Sequence, residues 1–357
     1  MGARPHDRGG APAGRAGHTV TGERVAVLGA GSWGTTVAAL LAREPGVTLW
    51  ARDAALAARI DAAHENPRYL PGVTLPRTLH ATGDLDAACA AADVLVLGVP
   101  SHGLRAVLTD VASVVDPDAP VLSLAKGVEQ GTHLRMTEVA ADVLAGHRRD
   151  RIGVLTGPNL AREVAAGQPT ASVVAMIDPA TATSLQERFM TATFRVYTNP
   201  DVVGCEIAGA LKNVIAIAAG IAAGLGYGDN TKAALITRGL AELARLGVVL
   251  GGEPLTFSGL AGMGDLVATC TSDQSRNRRV GVELGRGRSL DAIVAELDMV
   301  AEGVKSTGAV LELAATHGVE MPIASMVGAV LYEGRRPADL VPELMLREAK
   351  AELHGIR

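Results

Sequence analysis

The sequence predicts an α/β domain with a doubly wound, mostly parallel sheet, followed by an all-α domain. Three observations lead to this prediction. The 357 residues are enough for about two domains. Short apolar runs alternate with helical stretches from Arg24 onward, which is typical of parallel strands joined by helical crossovers. Beyond Asn199-Pro200 the strand signals stop, and Ala, Leu and Gly recur at helical spacing as far as Leu346.

These observations divide the chain into four parts. We expect a flexible tail at 1–22, a sheet domain at 23–200, a helical domain at 201–347 and a C-terminal tail at 348–357. The first 22 residues are rich in Gly, Ala, Arg and Pro, and they lack the apolar segment that a secretory signal needs.

The amino-acid composition limits the kinds of molecule that the protein is expected to bind. Hydrophobic residues make up 48% of the chain and aromatic residues only 3%, so the cores must consist of small aliphatic side chains, and few rings can stack on bases. With a net charge of −5 and no long basic run, nucleic acid is not an expected partner. Cys89, Cys205 and Cys270 show neither paired metal spacing nor a disulfide framework, which fits a reducing cytoplasm. We expect a cytoplasmic protein that binds a small molecule.

A glycine-rich turn follows the first predicted strand, Arg24 to Leu28. It reads Gly29-Ala-Gly31-Ser-Trp-Gly34, and a helix is predicted from Thr35 to Arg43. Gly29 would permit the tight turn, Gly31 would let the backbone approach a pyrophosphate, and Gly34 would let helix and strand pack closely. The helix N-terminus would then face the anion. In this order of strand, turn and helix, the pattern predicts a dinucleotide-binding site.

The choice between NAD and NADP depends on two residues after the second predicted strand, Val47 to Ala51. Arg52 can accept a 2′-phosphate, whereas the neighbouring Asp53 would suit the ribose hydroxyls of NAD. We therefore favour NADP(H) as the cofactor and keep NAD(H) as the alternative. Arg52 could also be an ordinary solvated surface charge.

Three further predicted strands end in unusual turns. Because ligands of open α/β sheets bind beyond the carboxyl ends of the strands, these turns should face one crevice together with the glycine turn. Lys126 is then a candidate for binding a charged ligand group, or else a solvated lysine at a helix-initiating turn. His102 opens a helix, where a histidine is often a cap or a surface residue. The strands are Val94 to Val99, Val121 to Ala125 and Arg151 to Leu155, with the turns Pro100-Ser101-His102, Lys126-Gly127 and Gly157-Pro158-Asn159. Thr170 to Met176 and Phe194 to Tyr197 could extend the sheet, with a helix from Pro179 to Met190 between them.

Lys212 is the most unusual residue of the helical part. From Ile207 to Ala223 only Lys212 and Asn213 are polar. Such a lysine either extends its ammonium to water along apolar surface, or is held where the ammonium loses hydration and can take part in chemistry. The run is marginal in length for a transmembrane helix and carries its charge near the middle, so a buried helix fits better.

Two polar clusters follow Lys212 in the chain. Gly259 to Leu266 is a glycine-rich turn that contains Asp265, and Ser272 to Arg279 collects serine, asparagine and arginine. Taken singly, the first could be a capped interhelical connection and the second a solvated helix end. Together with a nicotinamide-binding domain they supply a lysine for proton transfer, a carboxylate to position it and an arginine whose fork suits a phosphate.

Seven ordered motifs give the chain a specific resemblance. They are Gly-Ala-Gly-Ser-Trp-Gly-Thr (29–35), Pro-Ser-His (100–102), Lys-Gly (126–127), Gly-Pro-Asn (157–159), Leu-Lys-Asn-Val (211–214), Gly-Asp-Leu (264–266) and Ser-Arg-Asn-Arg-Arg (275–279). From about Arg24 to Leu346 the chain resembles the NAD(P)-dependent glycerol-3-phosphate dehydrogenases of the bacterial type. The resemblance implies a Rossmann-like domain, followed by a helical domain like the C-terminal domain of 6-phosphogluconate dehydrogenase.

By this resemblance the chain would interconvert dihydroxyacetone phosphate and sn-glycerol 3-phosphate, the backbone for phospholipid synthesis. Lys212 would donate and accept the proton, with Asp265 as the second catalytic residue. The implied substrate contacts are Lys126, Gly157, Asn159, Lys212, Asn213, Asp265, Thr269, Ser275, Arg276 and Asn277. The expected cofactor contacts are Gly29, Gly31, Ser32, Trp33, Gly34, Arg52, Lys126, Ala161, Arg276, Val300 and Glu302.

Asn159 departs from the family pattern, since many bacterial members have a hydroxyl residue there. An amide can still offer a hydrogen bond, so the change affects only the detail of that contact. The chemistry requires no metal, and the sequence contains no metal-ligand cluster. The Ala/Gly-rich helical domain would permit a homodimer. Two other interpretations remain: a dehydrogenase of the same plan that acts on a 3-hydroxy acid, and a nucleotide-sensing protein without turnover.

Overall fold

A computed structural model describes residues 23–90, 92–296 and 301–349 of the chain. The predicted tail at 1–22, nearly all of the predicted tail at 348–357 and the expected cofactor contact Val300 lie outside these residues. Within them the chain forms a Rossmann-like sheet domain followed by a helical domain, which confirms the predicted fold class.

The described residues form ten strands. In chain order these are β1 (Val25–Leu28), β2 (Val47–Trp50), β3 (Glu65–Asn66), β4 (Leu70–Thr74), β5 (Leu79–Thr82), β6 (Val94–Leu97), β7 (Val121–Ser123), β8 (Ile152–Thr156), β9 (Thr170–Ala175) and β10 (Phe194–Asn199). Eight of them build one sheet in the order β10-β9-β8-β7-β6-β1-β2-β5, while β3 and β4 pair separately. All neighbours in the large sheet are parallel except β8 and β9.

The centre of the sheet explains where a ligand can bind. The strands β1 and β6 consist of apolar residues and are buried along their whole length, as strands covered by helices on both faces must be. The chain pairs β2 on one side of β1 and β6 on the other. The crevice beyond the carboxyl ends of β1 and β6 is therefore the point where the strand order reverses, which is the usual ligand position in this architecture.

Helices cover both faces of the sheet and build the second domain. Around the sheet lie α1 (Ser32–Leu41), α2 (Ala54–Ala63), α3 (Leu85–Cys89), α4 (Leu104–Val111), α5 (Met136–Val143), α6 (Ala161–Ala165) and α7 (Pro179–Phe189). The second domain contains α8 (Val202–Gly224), α9 (Asp229–Val249), α10 (Pro254–Ser258), α11 (Asp265–Thr271), α12 (Arg276–Gly285), α13 (Leu290–Ala295), α14 (Glu302–Thr316), α15 (Pro322–Tyr332) and α16 (Leu340–Met345).

Several elements differ from the predictions. The helix α1 begins at Ser32 rather than Thr35, so Gly34 lies inside the helix, where a Cβ would come 2.0 Å from the Gly29 carbonyl oxygen. The strands β6 and β7 each end two residues before their predicted ends. No prediction covers β5 or the β3–β4 pair. The strand β5 lies at the sheet edge and buries only Leu79, so its sequence lacks the alternation that marks a strand.

The helix α8 is the core of the helical domain. By length and composition it could cross a membrane, but 89% of its most apolar window is buried inside the fold. It contacts α12 through glycines. A Cβ on Gly220 would lie 2.2 Å from the Arg278 oxygen, and a Cβ on Gly281 would lie 2.1 Å from the Ile217 oxygen. The two backbones are therefore in direct contact, and the pair leaves no room for side chains at these positions.

Candidate active site

Two lysines converge on one aspartate where the helical domain meets the sheet. Lys212 Nζ donates to Asp265 Oδ1 at 2.6 Å, and Lys126 Nζ donates to Asp265 Oδ2 at 2.7 Å. The Lys212 and Asp265 side chains are only 7% and 3% exposed. The interpretation of Lys212 as a lysine that reaches water along an apolar surface is therefore wrong.

Thr269 completes the surroundings of Lys212. Lys212 Nζ donates to Thr269 Oγ1 at 2.6 Å, and this hydroxyl donates to Asp265 Oδ1 at 3.2 Å. Asp265 and Thr269 lie one turn apart on α11, so one helix face presents both oxygens to the ammonium. The turn before α11 requires glycine, since a Cβ on Gly262 would lie 2.1 Å from the Phe257 oxygen. The local backbone thus positions the carboxylate.

Lys126 reaches the same carboxylate from the sheet domain. It follows β7, and its Nζ also donates to the Gly157 oxygen at 3.2 Å and to Asn159 Oδ1 at 2.9 Å, in the turn after β8. Gly157 has a φ of +121°, a left-handed conformation that favours glycine. The Lys126 side chain is 14% exposed, so the alternative of a solvated lysine is wrong. The turns after β7 and β8 meet at one edge, as the strand order predicts.

The charges of these three groups are coupled. Burial lowers the pKa of Lys126 to about 8, although the Asp265 carboxylate opposes the shift; the Lys212 ammonium adds to it. Burial acts to raise the pKa of Asp265, but the two ammoniums outweigh it and hold that pKa below its ordinary range. Asp265 is therefore ionised at neutral pH, and Lys126 is closer to losing its proton than an ordinary lysine.

Three of the predicted substrate contacts are buried nearby and already have protein partners. Asn213 Nδ2 donates to the Lys126 oxygen at 3.3 Å. Asn277 Nδ2 donates to Asn213 Oδ1 at 2.9 Å, and Asn277 Oδ1 accepts the Gly303 N–H at 3.0 Å. Ser275 caps α12 through its hydroxyl oxygen. These contacts join Lys126, α8, α12 and the start of α14 into one framework.

Arg276 and Glu302 begin the helices α12 and α14. Arg276 is exposed, and Glu302 is its charged neighbour. Glu302 Oε1 accepts the Ser101 N–H at 3.4 Å, which connects α14 to the turn after β6. Burial raises the pKa of Glu302, while the Ser101 N–H and the Arg276 charge oppose that shift. Both residues therefore lie beside the crevice of the sheet.

The glycine turn leaves room for a ligand at the N-terminus of α1. Gly29 has a φ of +117°, and a Cβ there would lie 2.7 Å from the Gly98 oxygen, so the turn requires glycine. A Cβ on Gly31 would meet nothing within 4 Å, and α1 has no side-chain cap. The first N–H groups of a helix have no acceptor within it. This open, uncapped helix start fits a pyrophosphate.

Other expected cofactor contacts surround this turn. Ser32 Oγ donates to the Tyr69 oxygen at 2.5 Å, and the Ala161 oxygen accepts a hydrogen bond from α1. The Trp33 ring faces the Phe194 ring, with centroids 6.4 Å apart. The partly buried indole therefore packs against the core of the sheet domain.

The two residues after β2 differ in their surroundings. Asp53 is the N-cap of α2, and its Oδ1 accepts two backbone N–H groups of the first turn at 3.0 and 3.2 Å. Arg52 is exposed, and its Nη2 lies 3.6 Å from the position of a Cβ on Gly103. Arg52 thus extends from β2 toward the turn after β6. His102, in that turn, is exposed.

Two family models match the chain, one for each domain. The model described as NAD-dependent glycerol-3-phosphate dehydrogenase N-terminus matches residues 24–182, and the model of the C-terminus of the same enzyme matches residues 201–342. The chain belongs to the NAD-dependent glycerol-3-phosphate dehydrogenase family. It is therefore an oxidoreductase, as the resemblance of its motifs predicts.

Individual relatives of this family align along nearly the whole chain. The chain is 55% identical over 331 residues to glycerol-3-phosphate dehydrogenase (NAD(P)+) 2 of Sphingopyxis alaskensis, covering 93% of this chain and 98% of the relative. It is 54% identical over 331 residues to the enzyme of Streptomyces griseus, covering 92% and 98%. The solved glycerol-3-phosphate dehydrogenase of Coxiella burnetii has a TM-score of 0.86 at 41% identity, covering 91% of this chain and 99% of that one.

Two buried carboxylates of this dehydrogenase fold are covered by no sequence prediction. Glu206, on α8, accepts hydrogen bonds from the N-terminus of α5. Glu242, on α9, accepts the N–H groups of Ile323 and Ala324 at 2.7 and 3.2 Å and so caps α15. The sequence does contain a signal for Glu206, because this residue is the single acid with which an apolar run begins. Glu242 has no such signal, because it lies among other charged residues of α9.

Metal sites and reactive thiols need particular groupings of residues. Within 23–90, 92–296 and 301–349, no group of three or more His, Cys, Asp or Glu side chains could hold a metal ion. Cys89, Cys205 and Cys270 are buried, and burial raises the pKa of each thiol. A buried thiol with a raised pKa is a poor nucleophile.

Proposed function

We propose that this chain catalyses the reversible, NAD(P)H-dependent reduction of dihydroxyacetone phosphate to sn-glycerol 3-phosphate, with Lys212 as general acid and base. The observation that carries the proposal is the buried cluster of Lys212, Asp265 and Lys126 beside the crevice of the sheet. The curated relatives are named glycerol-3-phosphate dehydrogenases, which supports the same reaction here.

The proton transfer is assigned to the ammonium of Lys212. When bound, a reduced nicotinamide would supply the hydride for the ketone carbon. Lys212 Nζ has three N–H donors, of which two point to Asp265 and Thr269. The third can donate to the ketone oxygen, where negative charge develops in the transition state, and its proton then passes to that oxygen. In the reverse direction the neutral amine accepts the hydroxyl proton.

The remaining substrate contacts divide between the ketone end and the phosphate end. Lys126 and Asn159 lie next to Lys212 across Asp265. Among the described residues nothing bonds to the buried Asn159 Nδ2, so this amide can donate to the substrate while its oxygen holds Lys126. We assign the phosphate to the guanidinium fork of Arg276, whose binding energy would orient the ketone. Supporting contacts are assigned to Gly157, Asn213, Thr269, Ser275 and Asn277.

We further propose NADP(H) as the favoured cofactor, with NAD(H) as the alternative. Asp53 is committed to the cap of α2, whereas Arg52 is exposed at the crevice and can bind a 2′-phosphate. The relatives' names give NAD(P)+ as the cofactor. The rest of the cofactor site is assigned to Gly29, Gly31, Ser32, Trp33, Gly34, Lys126, Ala161, Arg276, Val300 and Glu302.

A substrate screen with the purified protein tests the reaction. We expect oxidation of NADPH with dihydroxyacetone phosphate and no reaction of NADP+ with 3-hydroxy acids. Activity on 3-hydroxy acids alone would instead indicate a dehydrogenase of the same plan with another substrate. Cofactor binding without turnover of either compound would indicate a nucleotide-sensing protein.

We also propose that the product supplies glycerophospholipid synthesis, because sn-glycerol 3-phosphate is the backbone of these lipids. A bacterium that requires added glycerol 3-phosphate for growth provides the test. Expression of the wild-type chain should remove the requirement, and expression of the Lys212→Ala variant should not. Continued dependence despite measurable activity in the cell extract would contradict the proposal.

A further inference from the structure

Glu206 forms a buried ionic contact between the two domains. Its carboxylate accepts the Thr137 N–H at 2.9 Å, the Thr137 hydroxyl at 2.5 Å and Arg135 Nη1 at 2.6 Å. The Glu206 side chain is 4% exposed and that of Arg135 is 17% exposed. The carboxylate comes from α8, whereas Arg135 and Thr137 lie at the start of α5. Glu206 thus caps the first turn of a helix in the other domain.

The residues that Glu206 holds are close to Lys126 along the chain. Lys126 is followed by Val128, which pairs with Arg135 in an antiparallel bridge, and the Glu129 N–H donates to the Leu134 oxygen at 2.9 Å. Lys126 and Arg135 therefore lie at the same end of one short hairpin-like segment. A contact that fixes Arg135 also restricts the backbone of Lys126.

One face of α8 contacts the segment from Lys126 to Arg135 at three positions along the helix. Glu206, Gly209 and Asn213 follow the i, i+3, i+7 spacing of a single helix face. Glu206 binds Arg135, and Asn213 Nδ2 donates to the Lys126 oxygen at 3.3 Å. Between them, a Cβ on Gly209 would lie 3.5 Å from Lys126 Cγ, so the lysine stem lies against the helix there. Lys212, on the same helix, donates to Asp265 Oδ1, whereas Lys126 donates to Asp265 Oδ2.

We propose that Glu206 is a positioning residue for Lys126, and that its contact with Arg135 sets the place of the Lys126 ammonium opposite Lys212. The proposal rests on the proposed role of Lys126 as a substrate contact. A buried ion pair is often no more stabilising than apolar packing, but its bonds fix one geometry. Such a fixed geometry suits a segment whose lysine must meet a carboxylate of the other domain.

Loss of the pair should change the surroundings of Lys126 in a measurable way. In Glu206→Gln the carboxylate charge is lost, and the new amide can turn its NH₂ group toward the guanidinium of Arg135. The segment would loosen and water would reach Lys126. Burial is the main cause that lowers the pKa of Lys126, and the Lys212 ammonium on α8 adds to it, whereas the carboxylates of Asp265 on α11 and Glu302 on α14 oppose the shift. Hydration should therefore return this pKa toward 10.5, its ordinary value.

The pH dependence of kcat/KM for dihydroxyacetone phosphate tests the proposal in the full chain with NADPH. In the wild type we expect an alkaline limb near pH 8, and Lys126→Met should abolish it. In Glu206→Gln the limb should move up by about 1 in pH, and kcat/KM at pH 7 should fall about 10-fold to 100-fold. Arg135→Gln should do the same. The double variant should be no worse than either single variant, because both remove one contact.

A matched control separates positioning from stability. Glu242→Gln also removes a buried carboxylate that caps a helix, but its partner α15 does not carry the site. It should change the melting temperature and leave the alkaline limb in place. If the alkaline limb is unchanged in Glu206→Gln and Arg135→Gln but absent in Lys126→Met, the positioning role of Glu206 is overturned. The proposed contact of Lys126 with substrate then stands. A wild-type limb in Lys126→Met overturns both this inference and the proposed contact of Lys126 with substrate.

Discussion

At the scale of single residues, the site buries three charged groups, which are those of Lys126, Lys212 and Asp265. Asp265 accepts hydrogen bonds from Lys212 and Lys126, which approach from different domains. A buried charge is tolerated only when an opposite charge and hydrogen bonds replace its hydration. Asp265 therefore has two tasks: it stabilises the folded state, and it aims two ammoniums at one place.

Asp265→Asn should reveal both tasks. The variant leaves two lysines beside a neutral amide, so the free energy of unfolding should fall by about 3–5 kcal/mol, and activity should fall with it. Urea unfolding and steady-state rates measure the two effects. The control is Asp229→Asn, which breaks the surface pair with Lys232 and should leave stability almost unchanged. Equal stability of the two variants would contradict a buried ionic role for Asp265.

Arg52→Ala tests the cofactor preference at the level of one side chain. A charge-assisted hydrogen bond to a 2′-phosphate contributes enough that its loss should raise KM for NADPH by about 10-fold to 100-fold. KM for NADH should change little, because NADH has no phosphate there. Steady-state rates with both cofactors, on wild type and variant, give the answer. An equal change for NADPH and NADH would show that Arg52 is only a surface charge.

Among the helices, the contact between α8 and α12 depends on glycine. In Gly281→Ala the new methyl group would lie 2.1 Å from the Ile217 oxygen, so one helix must shift, at a cost of about 1–3 kcal/mol. The control is Gly308→Ala in α14, where a Cβ would meet only the Tyr332 hydroxyl at 4.0 Å. Alanine is a better helix former than glycine, so this variant should gain up to about 1 kcal/mol. Urea unfolding that ranks the two variants in the opposite order would contradict this packing.

The cap of α15 by Glu242 gives the fold a pH dependence of its own. Burial raises the pKa of Glu242 to about 7, against two backbone N–H groups that favour the charged form. The folded state then binds a proton more tightly than the unfolded state, so stability is lost as pH rises from about 4.5 to about 7. Relative to Glu242→Gln, the wild type should lose up to about 3 kcal/mol over this range. Parallel curves of unfolding free energy against pH for the two proteins would refute the assignment.

The whole molecule shows which features the sequence could predict. The alternation of apolar runs and helices determines a parallel sheet, and parallel strands bring their carboxyl ends to one edge, so the meeting of Lys126 with the Gly157 turn follows from strand order. The bond from Lys126 to Asp265 does not follow, because these residues belong to different domains and meet only through domain docking. The contact of Glu206 with Arg135 has the same origin. The strand β5 could not be predicted, because its sequence has no strand pattern and its extended conformation depends on pairing with β2.

The proposed mechanism assigns cofactor binding and proton transfer to different parts of the chain, and this assignment can be tested directly. If the sheet domain provides most of the cofactor contacts and Lys212 on α8 transfers the proton, Lys212→Ala should separate cofactor binding from catalysis. We predict that kcat for dihydroxyacetone phosphate reduction at saturating NADPH falls by about 10²-fold to 10⁴-fold, while the Kd for NADPH from cofactor fluorescence stays at the wild-type value. A Lys212→Ala enzyme that keeps the wild-type kcat would contradict the proposed mechanism.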